Sequence, residues 1–247
     1  MCLVVLCFRA VPDAAIVLAA NREEAYARGG EPPQVWAGEV PFVAGRDPVA
    51  GGTWLGVNAL GVVVAVTNRR KTHVPAGAVS RGLLVCAALR RQSAAEAADA
   101  AVRELASGNY AGCNLLCADA DRAYVVHAGD WLRVRPLTPG LHLLAAGDVN
   151  DAHDPRLAHA RRWLSAQRWS DAGTCAAALQ RLCAQSGNGS PAMCLHGPEA
   201  GTVSSTIVVV RQPVSRGWLG HAQGPPDRVG YEDYSYLLRR LNREASG

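Results

Sequence analysis

Val62-Val63-Val64-Ala65-Val66-Thr67-Asn68 is the stretch on which the fold turns. Its first five residues are apolar and four of those are β-branched, which steers the backbone to extended geometry. A strand with one wet face would alternate polar and apolar residues. This one does not, so a central strand covered on both faces is expected. Leu60-Gly61 supplies a tight turn from a preceding strand at 53–58, and residues 42–44 continue the pattern upstream. Further back, residues 3–8 and 15–20 read as two buried strands joined by a turn at Pro12-Asp13.

Downstream the period changes. Ser93-Ala94-Ala95-Glu96 is a capping box, and Ala97, Ala101, Val102 and Leu105 follow at helical spacing until Ser107-Gly108-Asn109. A second strand group covers 113–118, 122–127, 132–136 and 141–145. Asp154-Pro155 starts a helix toward Gln167, and another spans 172–185. Strands at 206–211 and 217–221 and a helical segment at 231–240 complete the chain. Strands and helices are grouped rather than alternating, so the expected class is α+β with antiparallel sheets. Neither a repeat nor a low-complexity linker interrupts residues 1–247, and one domain is expected.

Hydrophobic residues make up 49% and charged residues 19% of the chain, a balance that suits a packed core and opposes disorder. Net charge is +4, but the one tight basic cluster is Arg69-Arg70-Lys71, too short for a nucleic-acid footprint. The N-terminal apolar run lacks a preceding basic region and breaks at Arg9, unlike a signal peptide. No stretch reaches the roughly 18 apolar residues of a membrane span, so a cytoplasmic protein without stable membrane insertion is expected. The eight cysteines are expected as free thiols, and oligomeric state is not legible.

Polar residues cluster where buried strands end. Asn21-Arg22-Glu23-Glu24 follows directly on the second strand, either as its solvated exit or as a guanidinium held among carboxylates at a sheet rim. Gly51-Gly52 precedes Trp54 in Ala50-Gly51-Gly52-Thr53-Trp54-Leu55-Gly56. The pair forms a structural turn or lets backbone approach a ligand, with Trp54 as a shaped wall. Asn68 closes its strand as a turn cap or an amide donor to an oxyanion, and Asn114 needs hydrogen-bond partners inside a core strand. Trp36, Trp54 and Trp131 either line an apolar rim or belong to the core.

No metal-ligand set emerges. Cys113 and Cys117 share one strand face and lack a second pair, Cys194-Leu195-His196 lies far along the chain, and His153 and His159 are not at i, i+4. Gly-x-Ser-x-Gly is absent as well. Cys2 is different. Initiator methionine is commonly removed before a small residue, which would leave Cys2 with a thiol and a free α-amine. That amine titrates near 7.7–8.0 in ordinary peptides, so base and nucleophile would share one residue.

MCLVVLC, AANREEAYAR, GRDPVAGGTWLGVNALGVVVAVTN, SRGLLV, YAGCNLLCAD and GTVSSTIVVV occur in this order, and with them the chain resembles the NRDE family, also called the transport and Golgi organisation 2 family. The resemblance implies the four-layer αββα sandwich of N-terminal nucleophile (Ntn) hydrolases, akin to the choloylglycine hydrolase group, which cleaves linear non-peptide amides. It implies Cys2 as nucleophile and base, Arg22 as its orienter, Glu23 or Glu24 as holder of the α-amine, and Asn68 and, more weakly, Asn114 as oxyanion donors. Under this reading no cofactor is needed and the partner is a small-molecule substrate. The family has also been linked to haem trafficking and acyl-lipid homeostasis, which implies an alternative: a carrier of haem or another hydrophobic ligand. The chain departs from the pattern at Glu23, at Val203 where many relatives carry arginine, and at Ala145-Ala146-Gly147-Asp148 where relatives tend to keep an asparagine.

Overall fold

The computed structural model describes residues 2–187 and 189–244, with side chains to 241; Met1, on whose removal the N-terminal reading depends, lies outside the described residues. The chain opens with β1 (Leu3–Val11), β2 (Ala14–Ala25), β3 (Glu31–Trp36), β4 (Phe42–Arg46), β5 (Leu55–Asn58) and β6 (Val63–Asn68). Helices α1 (Arg81–Leu89) and α2 (Ala94–Ala106) lead to β7 (Cys113–Ala118), β8 (Ala123–Ala128), β9 (Leu132–Leu137) and β10 (Gly140–Leu144). Then come α3 (Pro155–Ser165), α4 (Ala172–Cys183), β11 (Ala200–Val210), β12 (Trp218–Ala222), β13 (Glu232–Asp233) and α5 (Ser235–Glu244).

The strands form two antiparallel sheets, ordered β10-β1-β2-β11-β12-β13 and β3-β4-β5-β6-β7-β8-β9. Strand β1 shows why they stack. Its run of apolar residues sends Val4, Leu6 and Phe8 into the space between the sheets, while Leu3, Val5 and Cys7 meet α3 and α4 on the other side. In the second sheet Val63 and Ala65 face the first sheet, and Val62 and Val64 face α1 and α2. The layers are therefore helix, sheet, sheet, helix. Leu237, Leu238 and Leu241 of α5 close one part of the inter-sheet core.

Local chemistry fixes the helix starts. Ser80, Ser93, Asp154 and Asp171 each accept a first-turn backbone N–H. The expected box at Ser93 is half formed: Ser93 Oγ accepts from Glu96 N, but Glu96 turns its carboxylate to Gln92 N. Helix α1 was not expected, because Ser80-Arg81-Gly82 places a glycine in the first turn and the helix is short. Strand β3 was not expected either, since Pro32 and Pro33 forbid backbone donation; it lies at a sheet edge, where proline is tolerated. The largest difference is β2, which runs to Ala25 instead of ending near Ala20.

Candidate active site

Extension of β2 puts Asn21-Arg22-Glu23-Glu24 inside a strand, paired with β11 as Asn21↔Ser205, Arg22↔Ser204, Glu23↔Thr202 and Glu24↔Gly201. The solvated-exit reading is corrected accordingly: Asn21, Arg22 and Glu23 are buried. Neighbouring hydrogen-bonded strands, rather than apolar side chains, hold this polar stretch in the sheet.

Period-2 alternation then divides its side chains. Arg22 follows Leu18 and Ala20 onto the inter-sheet face, whereas Asn21 and Glu23 follow Val17 and Ala19 to the side of α3 and α4. There Asn21 Nδ2 donates to Cys183 O (2.9 Å) and Met193 O (3.0 Å). Glu23 receives both terminal nitrogens of Arg156 from the first turn of α3. Burial pushes the Glu23 carboxyl up, against the opposing pull of Arg156.

The ladder Leu3↔Asn21, Val4↔Ala20 sets Cys2 opposite Arg22 at the start of β1. Both line a cavity of about 300 Å³ together with Glu23, Glu24, Arg28, Asp47, Trp54, Asn68 and Arg81. The Arg22 guanidinium lies 4.2 Å above the Trp54 ring and donates to the Gly29 carbonyl, so a planar cation is fixed beside the sulfur. Burial raises the Cys2 thiol above its ordinary range; a hydrogen bond from the Glu23 backbone and the charge of Arg22 pull it down. With a peptide bond to Met1 in place of a free amine, Cys2 is thus a protonated thiol at neutral pH.

On the cavity's second wall Arg28 grips Asp47 at 2.7 and 3.1 Å and reaches Glu24 at 3.7 Å. Burial opposes ionisation of Asp47, yet Arg28 and the Val49 amide hold its carboxyl below the usual range. Arg28, Asp47, Arg81 and Arg156 were not singled out from sequence. Arg81 and Arg156 carried a usable signal, each standing just after a helix cap.

Two sets of expected site residues fall elsewhere. Asn114 is fully buried and committed: Nδ2 donates to Ala145 O (3.0 Å), Gly147 O (3.0 Å) and Thr67 Oγ1 (3.1 Å). Its Oδ1 meets His127 Nδ1 at 2.7 Å and Arg69 at 3.2 Å, so it ties the two sheets together instead of lining the cavity. Gly51 and Gly52 do not line it either. A Cβ on Gly52 would sit 2.3 Å from the Gly82 carbonyl carbon, so this glycine seats the first turn of α1. Asn68 does line the cavity, but from the α1 side, in step with Val64 and Val66. No hydrogen bond occupies its carboxamide among the described residues. Trp36 stacks on Phe42 at 5.3 Å within the outer helix layer, and Trp131 is 85% exposed; neither shapes the cavity. Val203, the residue at the β11 register shift, lines an adjoining hollow with Arg22 and Trp54, apolar where the family pattern has a cation.

The two-sheet αββα sandwich is an Ntn-hydrolase-like fold. Solved structures support that fold. Penicillin V acylase from Agrobacterium tumefaciens superposes with a TM-score of 0.58 at 12% identity, covering 96% of this chain and 87% of its own. A mutant conjugated bile acid hydrolase from Clostridium perfringens gives 0.54 at 10% identity, with 96% and 93% covered. The Caenorhabditis elegans ortholog of N-acylethanolamine-hydrolyzing acid amidase gives 0.52 at 13% identity, with 83% and 91% covered. At such identities the likeness is one of fold.

The family model described as Transport and Golgi organisation 2 matches residues 1–196, and the chain belongs to that family. The Transport and Golgi organization protein 2 homolog of Bos taurus is 33% identical over 108 residues, or 42% of this chain. The match spans 38% of that relative's length.

Proposed function

We propose that this chain is an amidohydrolase in which Cys2, freed by removal of Met1, attacks the carbonyl of a linear non-peptide amide or related acyl compound. The observation that carries this reading is the placement of Cys2 opposite Arg22 on the inter-sheet face, open to a cavity. The structural neighbours, an acylase, an amidase ortholog and a conjugated bile acid hydrolase, support it.

In the proposed reaction the α-amine of Cys2 takes the thiol proton, and the thiolate, held beside Arg22, adds to the amide carbon. The Asn68 carboxamide donates to the resulting oxyanion from the α1 wall. The ammonium returns its proton to the departing amine, leaving a thioester on Cys2. Water, deprotonated by the same amine, then releases the acid and restores the thiol. Glu23 accepts from the amine and keeps its lone pair aimed at sulfur.

The cavity walls are charged on several sides, which suits a compact polar acyl compound better than a flat apolar macrocycle. For this reason the hydrolase is preferred to a carrier of haem or acyl lipid. The test is a panel of N-acyl amides assayed for acid release with wild type and Cys2→Ala. Turnover by wild type alone is expected. Equal turnover by both, or haemin binding that Cys2→Ala abolishes with no hydrolysis by either, would overturn the reading.

A further inference from the structure

A second cluster of reactive side chains lies outside the cavity. Cys194 precedes β11, and Asp227 sits in the turn after β12, 33 residues on. Cys194 Sγ is 3.2 Å from Asp227 Oδ1 and 3.7 Å from His196 Nε2, and His196 Nε2 is 2.7 Å from Asp227 Oδ2. All three donor atoms lie within 4.8 Å of one another.

A relay of cysteine, histidine and carboxylate would use opposite nitrogens of the ring, one toward sulfur and one toward the acid. Here a single nitrogen, Nε2, faces both. The three groups converge on a point instead of forming a chain, which is how ligands surround an ion. Tetrahedral bonding at about 2.3 Å for sulfur and ~2.0–2.1 Å for nitrogen and oxygen places donors roughly 3.3–3.6 Å apart. Two of the three separations already match within a few tenths of an ångström. The His196–Asp227 contact would open slightly as its hydrogen bond is exchanged for two metal bonds. Thiolate, imidazole and carboxylate together favour zinc over magnesium or calcium.

The backbone on both sides is fixed in advance. Cys194 N donates to Gln185 O (2.9 Å), Leu195 N to Thr202 Oγ1 (2.8 Å), and Val229 N to Pro225 O (2.9 Å) across the turn that carries Asp227. We propose that Cys194, His196 and Asp227 bind a zinc-type divalent cation that clamps the segment before β11 to the turn after β12. Thr202 and Pro225, which flank these ligands, line the hollow shared with Arg22 and Trp54. The clamp therefore sets the width of that hollow, and its fourth position is open to water or a ligand. The proposal is independent of hydrolysis at Cys2.

The test uses full-length Cys2→Ala protein, so that one competing thiol is gone, titrated with Co²⁺ and then Zn²⁺. One equivalent of Co²⁺ should bind with a thiolate-to-cobalt charge-transfer band, Zn²⁺ should displace it, and Tm should rise by ~5–10 °C at hundredfold excess over Kd. Cys194→Ser should lose the band, and the surface changes Asp227→Asn and His196→Gln should each weaken binding at least about tenfold. Absence of stoichiometric binding, or binding that survives all three substitutions, would refute the clamp.

Discussion

Carried one residue past Leu3↔Asn21, the β1–β2 register brings Cys2 opposite Arg22, and both line one cavity. Everything proposed for the cavity depends on this pairing, since it sets a fixed cation beside a half-buried cysteine. The Arg22 charge should accordingly favour the Cys2 thiolate, against the burial that raises its pKa. Arg22→Leu should move the pH profile of Cys2 alkylation upward and slow alkylation near neutrality, read by mass spectrometry of the modified protein. Arg22→Lys should lose less, because the charge remains while the stacking on Trp54 is lost.

Glu23 and Arg156 form a pair with side chains only 3% and 15% exposed. Arg156→Ala removes the guanidinium that Glu23 receives and should cost about 3 kcal/mol, or ~6–12 °C in Tm. The raised Glu23 pKa gives the sign with pH: a protonated Glu23 is tolerated when buried, and an ionised one is not. The variant's deficit should therefore shrink at acid pH and grow as pH rises through the folded-state pKa, which thermal melts across pH will report.

His127 offers the opposite sign. Burial lowers its pKa to about 4, although nearby Asp148 pulls the other way, and its ring is 1% exposed. The unfolded chain takes a proton near 6.5 and the native state only near 4. Stability from the neutral ring is thus whole above 6.5 and lost as pH falls through this window, on the order of 3 kcal/mol. His127→Gln should flatten the denaturant midpoint between pH 6.5 and 4.

The neighbouring glycines should separate cleanly. At Gly52 an added Cβ meets the Gly82 backbone at 2.3 Å, whereas at Gly51 it meets open space at φ +70°. Gly52→Ala should cost more than about 2 kcal/mol and disturb α1, while Gly51→Ala should cost ~1 kcal/mol through backbone strain alone. Urea titration of both variants reads the difference.

That strands such as 62–66 and 3–7 are covered on both faces was legible from their unbroken β-branched and apolar runs, whereas the four-layer arrangement was implied only by the family resemblance. What periodicity could not show was β2 continuing through Asn21–Glu24, since polar residues in a strand are held there by the partner strand β11, remote in sequence. Cys2, Arg22, Glu23, Glu24, Trp54 and Asn68 were named from sequence and meet at one cavity. Asn114 was named as a donor, but its neighbours Ala145 and Gly147, which consume that donor, come together with it only through the stacking of two sheets. Asp227 joins Cys194 and His196 by the same route, invisible to local spacing.

The most direct measurement is the intact mass of purified protein before and after exposure to an acylating probe. Loss of the Met1 mass, addition of one acyl group to wild type and no addition to Cys2→Ala are expected. Full retention of Met1, or equal labelling of Cys2→Ala, would contradict an N-terminal nucleophile at Cys2.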